Sequence, residues 1–384
     1  MIRARTVRRS ATVTIGVITA LIGVFVVHST GLTFGGQSPV DQAIVRMTLA
    51  EKVGQLVMIR VHDQQLSSAE YTLIARNHIG GVILFGDNYS SRAQLRALTA
   101  RLQEAGRAGN AFGVGMLISA DQEGGGVKRF PDLPPTLSAP AIGKTGSASV
   151  AYDQGSRTGG ALRSVGVNMD LAPVVDLNEG PNHIMEKRSF GSSPTSVGRL
   201  STQFMRGMQA YRVAATLKHF PGLGAATINS DNGMAWVYRY ANTIEGYDLV
   251  PFDTAMSAGA KAVMVSHGIY VNAWGRVPAS VNPSIATTLL RSREGFRGVS
   301  ISDSLDAIAW RYGGSTSRAC VESIKAGVDI ALVTGGSSTG RECVGAIHAA
   351  AVSGYIPLAR INEAAARVLS LKIWLRVWTP PPTG

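Results

Sequence analysis

Cysteine is scarce: the 384 residues contain two, Cys320 and Cys343. A cysteine-ligated metal centre is therefore not expected. Charged residues make up only 16% of the chain. Neither a long charge run nor a low-complexity tract occurs, so most of the chain is expected to fold. No basic cluster is interleaved with aromatics, which argues against nucleic acid as a partner. No G-x-G-x-x-G follows the early strand-like runs, which weighs against a dinucleotide-binding open sheet.

What the chain has in quantity is apolar surface. At 45% hydrophobic it can fill the core of one large α/β domain or two smaller ones. The first apolar segment, residues 11–27, follows Arg3, Arg5, Arg8 and Arg9 and ends in His28-Ser29-Thr30. A basic start, a short apolar stretch and small residues describe an export signal, or an uncleaved N-terminal anchor, over residues 1–29. Arg8-Arg9 hints at twin-arginine export, and no cysteine near the segment's end offers a lipid-attachment site. The expected location is extracytoplasmic, secreted or anchored. Of the formal charge of +12, four arginines lie in the first thirty residues with no acid, leaving +8 for the remainder. A basic surface suits an anionic cell envelope or an acidic polymer. Export would also permit a Cys320–Cys343 disulfide, but both residues fall in predicted helices and the sequence does not give their separation.

After a Gly/Ser/Thr-rich linker at 30–38, one helix is expected to carry Val45, Met47 and Leu49 with the Thr48-Leu-Ala-Glu51 capping box. Short apolar runs then recur, each followed by a longer helical pattern: 54–61, 81–86, 114–121, 167–177, 214–219, 262–267, 298–303 and 327–333. They are apolar on successive residues, as in strands buried on both faces of a parallel sheet. Eight such units predict an α/β fold, a single (β/α)8 TIM-type barrel over 39–376 followed by a Pro-rich tail at 377–384. A doubly wound open sheet is the other arrangement this pattern allows.

Barrels of this kind gather their active sites at the C-terminal ends of the strands. Asp121, Asp176, Lys218 with His219, His267 and Asp303 fall at those ends. Carboxylates accept hydroxyl hydrogen bonds while lysine and arginine donate them, so the set suits a hydroxyl-rich substrate. Glycoside hydrolysis needs one carboxylate at the anomeric carbon and a second group to protonate the leaving oxygen.

Seven motifs carry a family resemblance: GGVILFGDN (80–88), ADQEGGGVKRF (120–130), MDLAPVVDL (169–177), RSFG (188–191), KHFPG (218–222), ISDSL (301–305) and AGVDIALV (326–333). The chain resembles glycoside hydrolase family 3, specifically the single-domain bacterial β-N-acetylglucosaminidases that trim peptidoglycan fragments. The resemblance implies an exo-acting, retaining hydrolase of β-linked N-acetylglucosamine without cofactor or metal. It implies Asp303 as the nucleophile that forms a glycosyl-enzyme. It also places Asp121, Arg129, Arg188, Lys218 and His219 around the sugar, with Asp176 and His267 in support. A monomer is the expected state.

The family's acid/base loop is altered. Where the family has Gly-His-Gly and then Asp-Ser-His, this chain reads Gly222-Leu223-Gly224 and Asn229-Ser230-Asp231. The family's Glu-Gly-Gly-Arg is Glu123-Gly124-Gly125-Gly126. One reading makes Asp231 the acid/base, with a pKa raised by burial or by Asp303. A second makes the chain a cell-wall sugar-binding protein that has lost its proton donor. A different acceptor such as phosphate, or a structural envelope protein with no sugar site, stands further off. Trp236, Tyr238 and Tyr240 in the same loop suit stacking on sugar, contact with a partner, or simple packing.

Overall fold

The computed structural model describes residues 38–380. The expected export or anchor segment, nearly all of the linker and the last four residues of the expected tail lie outside them. Eight parallel strands form the centre: β1 (Val57–Arg60), β2 (Gly81–Leu84), β3 (Leu117–Ala120), β4 (Met169–Asp170), β5 (Ala214–Phe220), β6 (Ala262–Val265), β7 (Val299–Ser302) and β8 (Ala331–Val333). Their order is β7-β6-β5-β4-β3-β2-β1-β8. A parallel bridge between Ile301 and Ile330 joins the ends, so the sheet closes into a (β/α)8 barrel. All eight apolar runs supply a strand.

Successive strand residues point to opposite faces, and both faces are apolar here. Met58, Ile83, Leu117, Met169, Met264, Ile301 and Leu332 fill the barrel interior. The alternate residues pack outward against the helices. Val368, Leu371 and Leu375 from the end of the last helix (Leu358–Trp374) join the interior cluster and plug the barrel's N-terminal end.

Three expectations are corrected. The first helix is two, Pro39–Arg46 and Leu49–Gln55, because Thr48 takes an extended conformation to cap the second one. Val45, on the first of them, is exposed. The run at 167–177 gives a strand of only two residues, because Pro173 has no N–H for the ladder and the chain leaves it for a single bridge, Val174 to Lys218. The tail does not begin at 377. Val377 accepts from the Gly115 N–H at 3.2 Å, and Trp378 is buried with its indole N–H on the Phe112 carbonyl at 3.1 Å.

Two features tie the outer layer, one within itself and one to the barrel. Cys320 and Cys343 form a disulfide between the helices Thr316–Ala326 and Ser337–Val352, with Cα atoms 5.8 Å apart. Asp329, fully buried just before β8, receives Arg291 at 2.6 Å, Arg360 at 2.5 Å and Arg367 at 3.1 Å. Burial alone would raise its pKa, but the three guanidiniums outweigh that and hold it below the ordinary carboxylate value.

Replacing both cysteines by serine is expected to cost about 3 kcal/mol of stability through the 23-residue loop it opens. Asp329→Asn leaves three cations facing a neutral group and is expected to cost about 3–5 kcal/mol. Because Asp329 has a lowered folded pKa, its contribution is present at neutral pH. It fades as the pH falls from about 4 towards that lower value. Urea titrations of wild type and Asp329→Asn should therefore converge in acid.

Candidate active site

The strand ends deliver charge in alternation. Asp121 directly follows β3, and a tight antiparallel turn (Gln122–Gly124 with Val127–Lys128) brings Glu123 and Arg129 back beside it. Lys218, near the end of β5, points its amine between two carboxylates, 2.7 Å from Asp121 Oδ1 and 2.7 Å from Glu123 Oε1. Arg129 Nη2 donates to Asp121 Oδ2 at 3.1 Å. Arg188 grips Glu123 with two donors, Nε at 3.0 Å and Nη2 at 2.6 Å. The result is a chain of five alternating charges, Arg129–Asp121–Lys218–Glu123–Arg188.

Burial opposes the charges of Asp121, Glu123, Lys218 and Arg188, and the neighbours outweigh it. Asp121 is held down at about 2 by Lys218 and Arg129. Glu123 is likewise lowered by Lys218 and Arg188. Lys218, although 2% exposed, is raised by Asp121 and Glu123. The carboxylates therefore stay ionised and the amine protonated across the working pH range.

Asp176 and His267 stand behind the cavity wall and not in it, because their polar atoms are already engaged. Asp176 accepts from the His219 N–H at 3.0 Å, from His219 Nδ1 at 2.6 Å and from the Leu223 N–H at 2.7 Å. This fixes the His219 ring with Nε2 left for the cavity. His267 Nε2 donates to the Ser304 carbonyl at 2.7 Å, and its Nδ1 meets Ser280 Oγ at 2.7 Å. Both therefore reach the site through the groups they position.

Asp303 directly follows β7. Its N–H is held by the Val265 carbonyl at 3.0 Å, and its Oδ1 accepts from the Ser304 N–H at 2.8 Å. Burial would raise its pKa, but His267, His219, the Ser304 N–H and Lys218 hold it below the ordinary value. Asp231 is driven the other way, upward, by loss of solvent around its carboxyl and by the charge of Asp303. The residue as a whole is exposed on its loop, so water limits the rise. Asn229 both accepts from the Asp231 N–H (3.2 Å) and donates to Asp231 Oδ2 (3.3 Å).

The loop between β5 and Asp231 depends on two glycines. Gly222 has φ 119°, in the left-handed region. A Cβ on Gly224 would lie 2.2 Å from the Leu177 carbonyl oxygen. Leu223 between them is buried. At Gly126, by contrast, nothing within 4 Å would oppose a side chain, so packing does not explain the missing arginine there.

Asp121, Arg129, Arg188, Lys218, His219, Asp231 and Asp303 all line one cavity of about 490 Å³ at the C-terminal mouth of the barrel. Phe85 forms part of its wall, with the guanidinium carbons of Arg60 and Arg129 at 4.4 and 4.8 Å from its ring centroid. Trp236, Tyr238 and Tyr240 do not line it. Trp236 pairs with the short strand Ile269–Tyr270, and both tyrosines are exposed.

Three carboxylates escaped the residue-level reading. Glu123 is one of the two carboxylates of the charge chain, and its signal was its place two residues after Asp121 in the same motif. Asp306 lines the cavity and ties the loop after β7 to the one after β8 by accepting from the Thr334 and Gly335 N–H groups at 2.6 and 3.1 Å. Asp170, fully buried on β4, accepts from the Gln122 N–H at 2.9 Å, and its Oδ2 finds no partner among the described residues. Burial pushes it up to about 8, so at neutral pH it does not add a third negative charge beside Asp121 and Glu123.

Residues 48–371 match the N-terminal domain of glycosyl hydrolase family 3. A β-hexosaminidase of Xylella fastidiosa (strain 9a5c) is 34% identical over 285 residues, 72% of this chain and 83% of that protein. A secreted glycosyl hydrolase of Arthroderma benhamiae is 32% identical over 346 residues, 88% of this chain and 97% of its own length. Among solved structures, a family 3 β-N-acetylglucosaminidase from Paenibacillus sp. str. FPU-7 superposes with a TM-score of 0.82 at 34% identity. The match covers 88% of this chain but 64% of that longer one. A β-N-acetylhexosaminidase from Beutenbergia cavernae superposes at 0.74 with 31% identity, over 85% of this chain and 98% of its own. The matched span runs from the capping box of the second helix to the helix that plugs the barrel, and the chain is a glycoside hydrolase that belongs to glycoside hydrolase family 3.

Proposed function

We propose that the protein is an exported, retaining, exo-acting β-N-acetylglucosaminidase of peptidoglycan-derived sugars in which Asp303 is the nucleophile and Asp231 the acid/base. The observation that carries this reading is the opposite displacement of two carboxyl groups in one cavity. Asp303 is held low and Asp231 is pushed up. Two carboxyls whose environments separate their pKa values have the division of labour that glycoside hydrolysis requires. The names of the hexosaminidase relatives support N-acetylglucosamine as the sugar.

In the first step, Asp303 Oδ attacks the anomeric carbon as the bond to the leaving oxygen breaks. The proton of Asp231 passes to that oxygen, and the sugar is left on Asp303 as an ester. In the second step Asp231, now ionised, takes a proton from water. The resulting hydroxide character attacks the anomeric carbon and frees Asp303. Lys218, Asp121 and Arg129 are pinned together before substrate arrives, so they meet the sugar hydroxyls with little reorganisation. His219, its Nδ1 held by Asp176, presents Nε2 to the same ring.

Asp303→Asn is expected to abolish turnover of every β-N-acetylglucosaminide. Asp231→Asn should lower turnover of a natural muropeptide disaccharide by about 10²–10⁴-fold. An activated aryl glycoside needs no proton and should lose far less in its glycosylation step. Equal loss on both substrates would remove Asp231 from the acid role. Absence of turnover by the wild type, with calorimetric binding of N-acetylglucosamine retained, would make the protein a sugar-binding member of the family.

Turnover needs Asp303 ionised and Asp231 protonated. The rate should therefore rise through a lowered Asp303 value in acid and fall through a raised Asp231 value at higher pH. Asp231→Asn should erase the alkaline limb for aryl glycosides while keeping the acid one. An unchanged alkaline limb would assign it to another group.

A further inference from the structure

The opposite, N-terminal end of the barrel carries five cations about the end of the last helix, two of them over the ring of Trp374. Lys261 immediately precedes β6, and its Nζ lies 5.1 Å from the centroid of Trp374. Arg212, just before β5, places its guanidinium carbon 5.2 Å from the same centroid and donates to the Trp374 carbonyl at 3.4 Å. Arg163 donates to the Leu375 carbonyl at 3.1 Å. Burial, and after it the charge of Arg376, lowers the pKa of Arg163. Arg297 lines a 290 Å³ hollow with Lys261 and Trp374.

Among the described residues, none of these five forms an ion pair with a carboxylate. At the same end Arg291, Arg360 and Arg367 do, closing on Asp329. Asp253 and Glu294 share a neighbouring hollow with Lys261 and Arg297. Burial and the Glu294 carboxyl push Asp253 up to about 7, so part of that negative charge is withdrawn at neutral pH.

Helix capping accounts for part of this cluster. Cations at a helix C-terminus bond its last carbonyls and meet the negative end of its dipole, which is what Arg163 and Arg212 do. It does not account for Arg297 and Arg376, which are exposed and make no such bond. Nor does it account for arginine at two left-handed backbone positions, Arg212 at φ 57° and Arg376 at φ 59°, where glycine or asparagine costs less.

We propose that this end of the barrel is an electrostatic docking surface for an anionic phospholipid bilayer, with the active-site mouth facing away from it. Lysine and arginine around a part-exposed tryptophan are the composition of a membrane–water interface. A linear polyanion is served better by a stripe interleaved with several aromatics, which is not present. The sequence adds a second membrane-directed feature, the apolar residues 11–27 behind four arginines. The proposal rests on no part of the catalytic reading, since the two sites occupy opposite ends of the barrel.

The test uses full-length protein and two kinds of vesicle, pure phosphatidylcholine and an equimolar mixture of phosphatidylglycerol and phosphatidylcholine. The N-terminal apolar segment contributes to both, so the readout is the ratio of the two partition coefficients. Each surface cation is worth on the order of fivefold near an anionic leaflet. Lys261→Gln/Arg297→Gln/Arg376→Gln should therefore lower the ratio by roughly 100-fold, with the same loss on raising salt in the wild type. Its hydrolytic activity and melting temperature, which report an intact barrel, should be kept. A control with Arg3, Arg5, Arg8 and Arg9 changed to glutamine separates the N-terminal contribution. A triple variant whose ratio matches wild type would overturn the proposal. So would complete competition by soluble polyphosphate at matched phosphate concentration, which would assign the patch to a linear polyanion.

Discussion

Lys218 Nζ, held at 2.7 Å from each of two buried carboxylates, is the contact on which the mouth of the barrel depends. Asp121 and Glu123 leave β3 two residues apart, and without a cation between them their charges would repel in a site almost closed to water. Lys218 joins them across the barrel from β5, and Arg129 and Arg188 close the row at either end. The carboxylates and the amine at the centre of the row are charged at a cost in burial, and neighbours of opposite sign offset it. The sugar-facing donors and acceptors are thereby fixed before substrate binds. Such preorganisation lets a polar site act on developing charge without rearranging first.

A second layer repeats the same logic at lower charge density. Asp176 accepts from His219 and Leu223 with both carboxylate oxygens. In doing so it links the ring that faces the sugar to the loop that leads to Asp231. His267 ties the chain after β6 to the Ser304 carbonyl, directly beside Asp303. The altered loop thus departs from the family's Asp-Ser-His while the frame behind it is complete. The departure brings a carboxyl into the cavity that holds Asp303. Loss of solvent, and after it the charge of Asp303, raises Asp231, while His267, His219, the Ser304 N–H and Lys218 hold Asp303 low.

The barrel was legible in the sequence because parallel strands buried on both faces read as unbroken apolar runs, and eight such runs gave eight strands. Strand lengths were not legible: Pro173 cut β4 to Met169 and Asp170, which a hydrophobic window does not register. The Thr48 capping box was visible, but its consequence, a break between two helices, was assigned to one continuous helix. In the site, position at a strand's C-terminal end identified Asp121, Lys218, His219 and Asp303. The same rule could not by itself separate cavity wall from support. The partners that hold Asp176 and His267 behind the wall, Leu223, Ser280 and Ser304 among them, come from the fold. Glu123 and Asp170 escaped because their roles come from neighbours distant in sequence, Arg188 and Lys218 for one and burial for the other. The Cys320–Cys343 separation depended on how two helices pack and was not available from spacing.

The central claim is that Asp303 carries the sugar and Asp231 both protonates the leaving group and later activates water. It is tested most directly by incubating Asp231→Asn with an activated aryl β-N-acetylglucosaminide and examining the protein by peptide mass spectrometry. The account predicts that glycosylation proceeds while hydrolysis stalls, so that one N-acetylhexosaminyl group accumulates on the peptide containing Asp303, and that added azide releases it as the β-glycosyl azide. An adduct on another residue, or steady hydrolysis by this variant with no adduct and no response to azide, would contradict it.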